Sequence, residues 1–471
     1  MASPTAPAFE RRLGLFQATT VNMTQMCGVG PFITIPVMIV TMKGPQAMFG
    51  WVVGALIAIA DGLVWAELGA AMPGAGGTYL YLREAFQYRT GRLMPFLFVW
   101  SAVLFIPLIM STGAIGLAQY AGYLWPVLVH DGGLSTWGHL VAIGVVVLVV
   151  AALYRRIGDV GRLTSVFFVV MLISVLGVIF AAFTHFSPHQ AFTFPENAGS
   201  DFFTGLGAGL VIAIYDYLGY NTSAYLGAEV KNPGRVIPRS IVYAIIGIMG
   251  LYFLLQVGVL GVVPWQEAQH SSSVASLVLE KAWGKGAAQV FTVGIIITAF
   301  ASVFAGLLGG SRVPYNAAKD KVFLSWFGRL HPRLHFPTAG LFAMGVITAI
   351  GSLFTLTDVL NMLTAVFVLI QSIAQVVALT VLRRRQPNLR RPYKMWMYPL
   401  PSVIALIGWV YIYKSAHLKP ILLSLAWLVA GGVAFLIWAR TERTWPFGPK
   451  EIRESFIENA EEAQGAEGAA P

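Results

Sequence analysis

Two acidic side chains stand where acids are costly. Asp216 lies in the run Tyr215-Asp216-Tyr217-Leu218-Gly219-Tyr220-Asn221-Thr222, and Asp61 lies inside an apolar stretch, six residues before Glu67. On membrane-insertion scales a charge at the centre of an apolar helix costs about 2.5–3.5 kcal/mol, and it is kept where a proton, a cation or a paired base neutralises it. No Lys or Arg falls in the middle of an apolar stretch of this chain. A substrate ammonium or a transferable proton is therefore the natural partner for both acids. A second kind of chemistry is carried by the main chain. The run Met23-Thr24-Gln25-Met26-Cys27-Gly28-Val29-Gly30-Pro31-Phe32 places two glycines and a proline in an apolar stretch. Pro31 lacks an N–H and clashes with the preceding turn, yet suits the first position of a new helix. Unwound backbone there offers free N–H and C=O groups, and the helix ends add partial charges that attract anions at N-termini and cations at C-termini.

These residues need elements that hold them inside a membrane. The chain has 471 residues, 57% of them hydrophobic and 11% charged, with a mean hydropathy of +0.71. A soluble protein carries about 25% charged residues, so too little charge is available to cover a water-facing surface. A soluble enzyme and a nucleic-acid binder are excluded as main readings. A single cysteine, Cys27, allows no disulfide within the chain and no cysteine metal cluster.

Windows of about 20 apolar residues place twelve expected spanning helices near 16–41, 46–70, 93–125, 137–154, 163–185, 203–228, 237–262, 286–311, 338–356, 358–382, 397–415 and 419–439. The ninth and tenth are divided only at Thr357-Asp358. With both termini cytoplasmic, the outer segments hold Lys43, Lys281, Lys285, Lys414 and Lys419, leaving 26 of the 31 Lys and Arg inside. That excess is what cytoplasmic loops carry. The expected organisation is a cytoplasmic tail over 1–12, a single transmembrane domain over 13–440 and a partly disordered cytoplasmic tail over 441–471. The polar opening that ends in Arg11-Arg12 reads as a tail and not as a cleaved leader. The basic stretch from Arg383 to Lys394 is a solvated loop that can also meet anionic lipid heads.

The two interrupted spans are the first and the sixth. Matched breaks in two halves point to a secondary transporter with inverted repeats and a midplane site. Unwound backbone survives at that depth only when buried in protein or lining a cavity. A kink or a packing glycine explains one Gly pair alone, but not two breaks with an acid in one of them. Asp61, in an unbroken stretch, is equally readable as a structural acid. Glu67 and Glu229, near the cytoplasmic ends of their spans, are expected to bond loop amides or basic side chains. Thr298 and Ser302, one turn apart, could face a sodium site, although their hydroxyls are expected to bond their own helix carbonyls. Gln119, Gln371 and Gln375 are isolated polar groups. No metal-ligand spacing and no phosphate-binding Gly-Lys-Ser/Thr loop occurs, so neither an enzyme nor ATP drive is indicated.

Three segments resemble the amino acid–polyamine–organocation (APC) transporter superfamily. They are Ala66-Glu67-Leu68 with Pro73-Gly74-Ala75-Gly76-Gly77, then Glu229-Val230-Lys231-Asn232-Pro233 with Pro238, and Ser311 to Asp320. The resemblance covers nearly the whole chain. It implies an all-α polytopic fold with a LeuT-like five-plus-five inverted repeat, broken helices 1 and 6 and two appended helices. Repeat one spans about 16–185, repeat two about 203–382 and the extra helices about 397–439.

By that resemblance the amides of Gly28-Val29-Gly30 hold a substrate carboxylate. Carbonyls of Met26, Tyr215 and Leu218 hold its amine, Gln25 adds side-chain contacts and Tyr215 is an aromatic gate. Cys27, Asp216, Gly219 and Asn221 complete the candidate binding set, with packing as the default role of Cys27. A fifth-span lysine of many amino acid transporters is replaced by Met171. Gly30-Pro31-Phe32, the acid at 61 and a swapped Asp216/Asn221 pair resemble the plant-type polyamine/proton symporter branch.

The expected function is secondary active transport of amino acids or derived polyamines by alternating access, at the plasma (inner) membrane. Asp216 and Asp61 are the proton-coupling candidates, H+ is the expected coupling ion and Na+ an alternative, and no metal or cofactor is expected. An exchanger or a sodium symporter is the nearest alternative, and a channel or a non-transporting sensor the alternative of another class. Small-molecule substrate and lipids are the expected partners, nucleic acid is not, and the protein is expected to be a monomer or homodimer.

Overall fold

The computed structural model describes residues 13–73, 77–130, 132–154, 160–331, 336–442 and 444–447. Arg11-Arg12, Gly74 to Gly76, Arg155-Arg156 and the tail from 448 onward lie outside the described residues. What is described is helical apart from turns and one two-residue hairpin, Val129–His130 with Gly133–Leu134.

The chain opens with α1 (Leu15–Met26) and α2 (Gly30–Met42), bent by 53° at the residues between them. α3 (Met48–Ala71) is followed by α4 (Thr78–Thr90), α5 (Leu93–Leu124), α6 (Thr136–Leu153) and α7 (Val160–Thr184). The short α8 (Pro188–Ala191) leads to α9 (Ala198–Tyr217) and the single turn α10 (Thr222–Tyr225). Next come α11 (Pro233–Val262), the short α12 (Trp265–Ala268), α13 (Val274–Trp283), α14 (Lys285–Gly310) and α15 (Arg312–Lys319). The last helices are α16 (Thr338–Gly351), α17 (Leu356–Phe367), α18 (Ala374–Arg385), α19 (Leu400–Ser415) and α20 (Leu418–Thr441), with Val368–Ile373 π-helical between α17 and α18.

Among the described residues, eight helices are long and apolar enough to cross a bilayer, or nine with the bent α1–α2 pair as one span. Two further apolar helices are shorter, Thr338–Gly351 and Leu400–Ser415, and α7 is apolar over Val169–Thr184. Two of the twelve expected spans end elsewhere than the sequence places them. The ninth ends at Gly351, not at 356, because Thr355 caps the next helix. Its hydroxyl accepts from the Asp358 N–H (3.2 Å) and donates to Asp358 Oδ2 (2.6 Å), a local bond that favours a cap over a continued helix. The division therefore falls at 352–355 and not at Thr357-Asp358.

The sixth span departs further. Helix stops at Tyr217, Leu218 is extended (φ −59°, ψ 130°) and Gly219 takes φ +117°, a conformation open chiefly to glycine. Beyond it only a four-residue turn and the 3-10 segment Gly227–Glu229 follow.

Apolar side chains such as Phe180, Val290, Val346, Ile407, Val429 and Ile437 face outward, as a lipid-facing exterior requires. The interior is close-packed through small residues, which let helices approach. A Cβ on Gly62 of α3 would lie 2.8 Å from Ile241 of α11. The most extensive helix contacts are α3 with α11 and α5 with α14.

Candidate functional site

The two breaks meet. At the first, Cys27 leaves the helix (φ −89°, ψ 72°) and the Gly28 N–H turns back to the Met26 carbonyl (3.1 Å). Phe32 N–H reaches the Val29 carbonyl (3.1 Å), and Pro31 has no N–H to offer. The N–H groups of Val29 and Gly30 find no acceptor among the described residues. They stand at the N-terminal end of α2, where unpaired amides and the helix dipole favour negative charge. At the second break, Leu218 N–H bonds the Tyr215 carbonyl (3.1 Å) and Thr222 N–H bonds the Gly219 carbonyl (3.1 Å). A Cβ on Gly219 would come within 2.7 Å of the Gln25 side chain, so the glycine also lets the two unwound segments touch.

Asp216 occupies the seam. It is 2% exposed. Its Oδ2 accepts from the Thr34 hydroxyl (2.6 Å), which also bonds the Gly30 carbonyl (3.0 Å). Its Oδ1 has no partner among the described residues. A Cβ on Gly30 would collide with that Oδ1, so a glycine at 30 is what allows the carboxylate to lie against the start of α2. Tyr252, from α11, donates to the Met26 carbonyl (2.8 Å) and the Asp216 carbonyl (3.1 Å), tying both helix ends together. It packs on Trp51 and Tyr217, with ring centroids 5.3 and 5.8 Å away.

The structure brings together Gln25, Met26, Cys27, Gly28, Val29, Gly30, Tyr215, Asp216, Leu218 and Gly219, with Asn221 two residues beyond, but it alters the expected duties. The Met26 carbonyl already receives both the Gly28 N–H and the Tyr252 hydroxyl, so both its lone pairs are taken, and the Tyr215 carbonyl receives Leu218, so only its second lone pair is open. The Leu218 carbonyl has no donor among the described residues. The Tyr215 phenol reaches Thr112 Oγ1 on α5 (2.5 Å), and that hydroxyl bonds the Ile109 carbonyl, so this gate residue is held toward α5. Cys27 is a buried free thiol, and the mostly buried Asn221 side chain has no partner among the described residues. Gln25 is exposed.

Asp61 is built differently. Tyr220 donates to its Oδ2 (2.5 Å) and the Trp409 indole to its Oδ1 (3.0 Å). It thereby joins α3 to the second break and to α19. Glu67 is fully buried and grips Arg383 through two bonds (2.7 and 2.5 Å), with the Met395 N–H on Oε2 (2.8 Å) and Arg391 at 3.5 Å. Burial holds Arg391 below the ordinary arginine range, against the opposing pull of Glu67.

Glu229 contributes its backbone. Leu13 N–H bonds the Glu229 carbonyl (2.9 Å) and Lys231 N–H bonds the Leu13 carbonyl (2.8 Å), a bridge between the segment before α1 and the segment after α10. Ser302 lies against Gly28, but its hydroxyl donates to the Thr298 carbonyl and that of Thr298 to the Gly294 carbonyl. Thr34, Tyr252, Tyr220 and Trp409 escaped the sequence reading. Only Thr34 carried a local signal, one helical turn beyond Gly30.

A helical bundle whose first helix breaks beside an unpaired acid is the architecture of a multi-pass membrane transporter. The family described as "Amino acid permease" matches residues 13–440, and this chain belongs to it, within the amino acid–polyamine–organocation superfamily, a family of transporters and not of enzymes. The branched-chain amino acid permease BcaP of Bacillus subtilis is 25% identical over 92% of this chain and 94% of its own length. The serine/threonine exchanger SteT of the same organism is 26% identical over 86% of this chain and 91% of its own. The cationic amino acid transporter 4 of Mus musculus is 26% identical over 73% of this chain and 55% of its own.

Proposed function

We propose that this permease carries amino acids, or amines derived from them, across the membrane by alternating access, with uptake driven by protons. The observation that carries the reading is the unpartnered Asp216 oxygen, sealed between the two breaks and beside the free amides of Val29 and Gly30. A solute ammonium supplies the charge that Asp216 lacks. A solute carboxylate has the two amides at the start of α2. An amine without a carboxylate uses Asp216 alone, as in the polyamine branch that Gly30-Pro31-Phe32 resembles. The names of BcaP, SteT and the cationic transporter favour amino acids; the acid at 216 favours a cationic group on them.

Asp61 is the coupling acid in this reading. Its carboxylate holds Tyr220, the residue after Gly219, so a proton on Asp61 weakens the hold of α3 on the second break. Sodium is the alternative ion: the hydroxyls of Thr298 and Ser302 donate to their own helix carbonyls and keep oxygen lone pairs for a cation. The twelve-span, five-plus-five arrangement is part of the same proposal. Nine spans, the apolar α7 and two shorter apolar helices among the described residues support it, and the most extensive pairings join the second span to the seventh and the third to the eighth. Cytoplasmic termini follow from the 26 inward Lys and Arg.

The test is a thermal-shift screen of amino acids, their decarboxylated amines and polyamines, followed by uptake of each stabilising compound into proteoliposomes. A ligand of the native state raises the melting temperature. Amino acids that stabilise while their amines do not select the first solute class, and the converse selects the second. A screen without any stabilising nitrogen compound removes the proposal.

A further inference from the structure

Eight buried side-chain polar atoms lack a partner among the described residues, and four belong to one twelve-residue stretch: Thr364 Oγ1, Gln371 Oε1, Ser372 Oγ and Gln375 Nε2. A fifth, the Tyr81 hydroxyl, lies against Gly69 of α3, on a residue one turn along α4 from Thr78, whose hydroxyl bonds Gln375 Oε1 (2.5 Å). All five residues are at most 5% exposed. The helix changes winding among them, with Val368–Ile373 π-helical, and π-turns inside α-helices recur at functional sites. Eleven residues at about 1.5 Å each spread the four atoms over roughly 16 Å, about half the apolar thickness of a bilayer. Two turns past Gln375, Arg383 holds Glu67. One turn before Gln371, Phe367 packs edge-on to Trp409 (6.0 Å), whose indole donates to Asp61.

The atoms select their occupant. Gln371 Oε1 only accepts, Gln375 Nε2 only donates and the hydroxyls do both. A cation would serve the acceptors and strand the Gln375 amide, whereas water serves all of them. We infer that this stretch lines a file of water that carries protons from Asp61 to the Arg383 end of the bundle, the cytoplasmic side, separately from the solute's route through the breaks. The inference rests on Asp61 being the coupling acid proposed above. A protonated Asp61 passes its proton to the first water of the file, which becomes hydronium, and Asp61 is left as the carboxylate. The groups facing Asp61 are Tyr220, with Tyr225 behind it, Trp409 from α19 and Trp65 from its own helix, while Ile241 and Ile245 of α11 cover the adjoining Gly62. No other charged side chain faces it among the described residues.

The experiment compares the parent protein, Asp61→Asn and the double variant Gln371→Leu with Ser372→Ala in proteoliposomes. Solute counterflow at equal pH is measured beside accumulation under a pH gradient. The double variant is expected to keep counterflow within about twofold of the parent and to lose about tenfold or more of the accumulation. Accumulation lost in Asp61→Asn but intact in the double variant overturns the water file alone. Accumulation that survives Asp61→Asn removes the coupling acid, and the file with it. A density map of the parent showing ordered water beside Gln371, Ser372 and Gln375 supports the file, and a dry column there overturns it even if the double variant does not assemble.

Discussion

Asp216 and Asp61 are equally sealed, at 2% and 1% exposure, yet their surroundings differ in kind. Asp61 has a donor on each oxygen, from a phenol and an indole. Among the described residues, Asp216 has a donor on one oxygen and none on the other. Burial alone therefore does not separate a ligand from a brace. The spare valence does, because an unpaired buried carboxylate oxygen is costly until something arrives to pair with it.

The widest gap between the two acids is expected in solute binding. Asp216→Asn keeps an acceptor for Thr34 but removes the charge. Breaking a buried ion pair costs about 3–5 kcal/mol, so solute affinity in a thermal-shift titration should fall roughly 100-fold or more while the unliganded melting temperature changes little. Binding that persists at parental strength would make Asp216 a brace as well.

Asp61→Asn should do the reverse. Hydrogen bonds to a charged group are worth about 1.5–3 kcal/mol each, and Asn retains one acceptor, so the unliganded protein should lose about 2 kcal/mol of stability while equilibrium solute binding survives. Denaturation in detergent monitors the first and ligand titration the second.

A smaller effect comes from Gly30→Ala, whose methyl collides with Asp216 Oδ1. Overpacking of this kind costs about 1–3 kcal/mol, and the loss should appear in solute affinity. Ala at 30 with full affinity would show that Asp216 moves away before the solute binds. The smallest is Thr34→Val, which removes one hydroxyl donor and should weaken binding by about 1 kcal/mol, roughly fivefold. An equal effect of Thr34→Val on stability and on binding would blur the distinction between the acids.

Much of this arrangement was legible before any coordinates. Gly28, Gly30 and Pro31 announce a break because their backbone chemistry is local, and Asp216 stands out because a charge in an apolar run needs a reason. The partners were not legible. Thr34 and Asp216 are 182 residues apart, and Trp409 and Asp61 are 348 apart; nothing in a phenol or indole on an apolar helix says which distant acid it will meet. The abbreviated helix after Gly219 was missed because hydropathy counts apolar residues and does not see winding. The π-helical turn at Val368–Ile373 was hidden for the same reason, since its composition is that of an ordinary span.

The bridge between Leu13 and the segment around Val230 has one more consequence. Its two rungs, Leu13 to Glu229 and Lys231 to Leu13, fasten the lead-in of the first broken rod to the lead-out of the second. A displacement of either arm must carry its fellow or shed both rungs together. The pair therefore behaves as one shutter with a shared catch, and half-open positions are penalised in favour of shut or released.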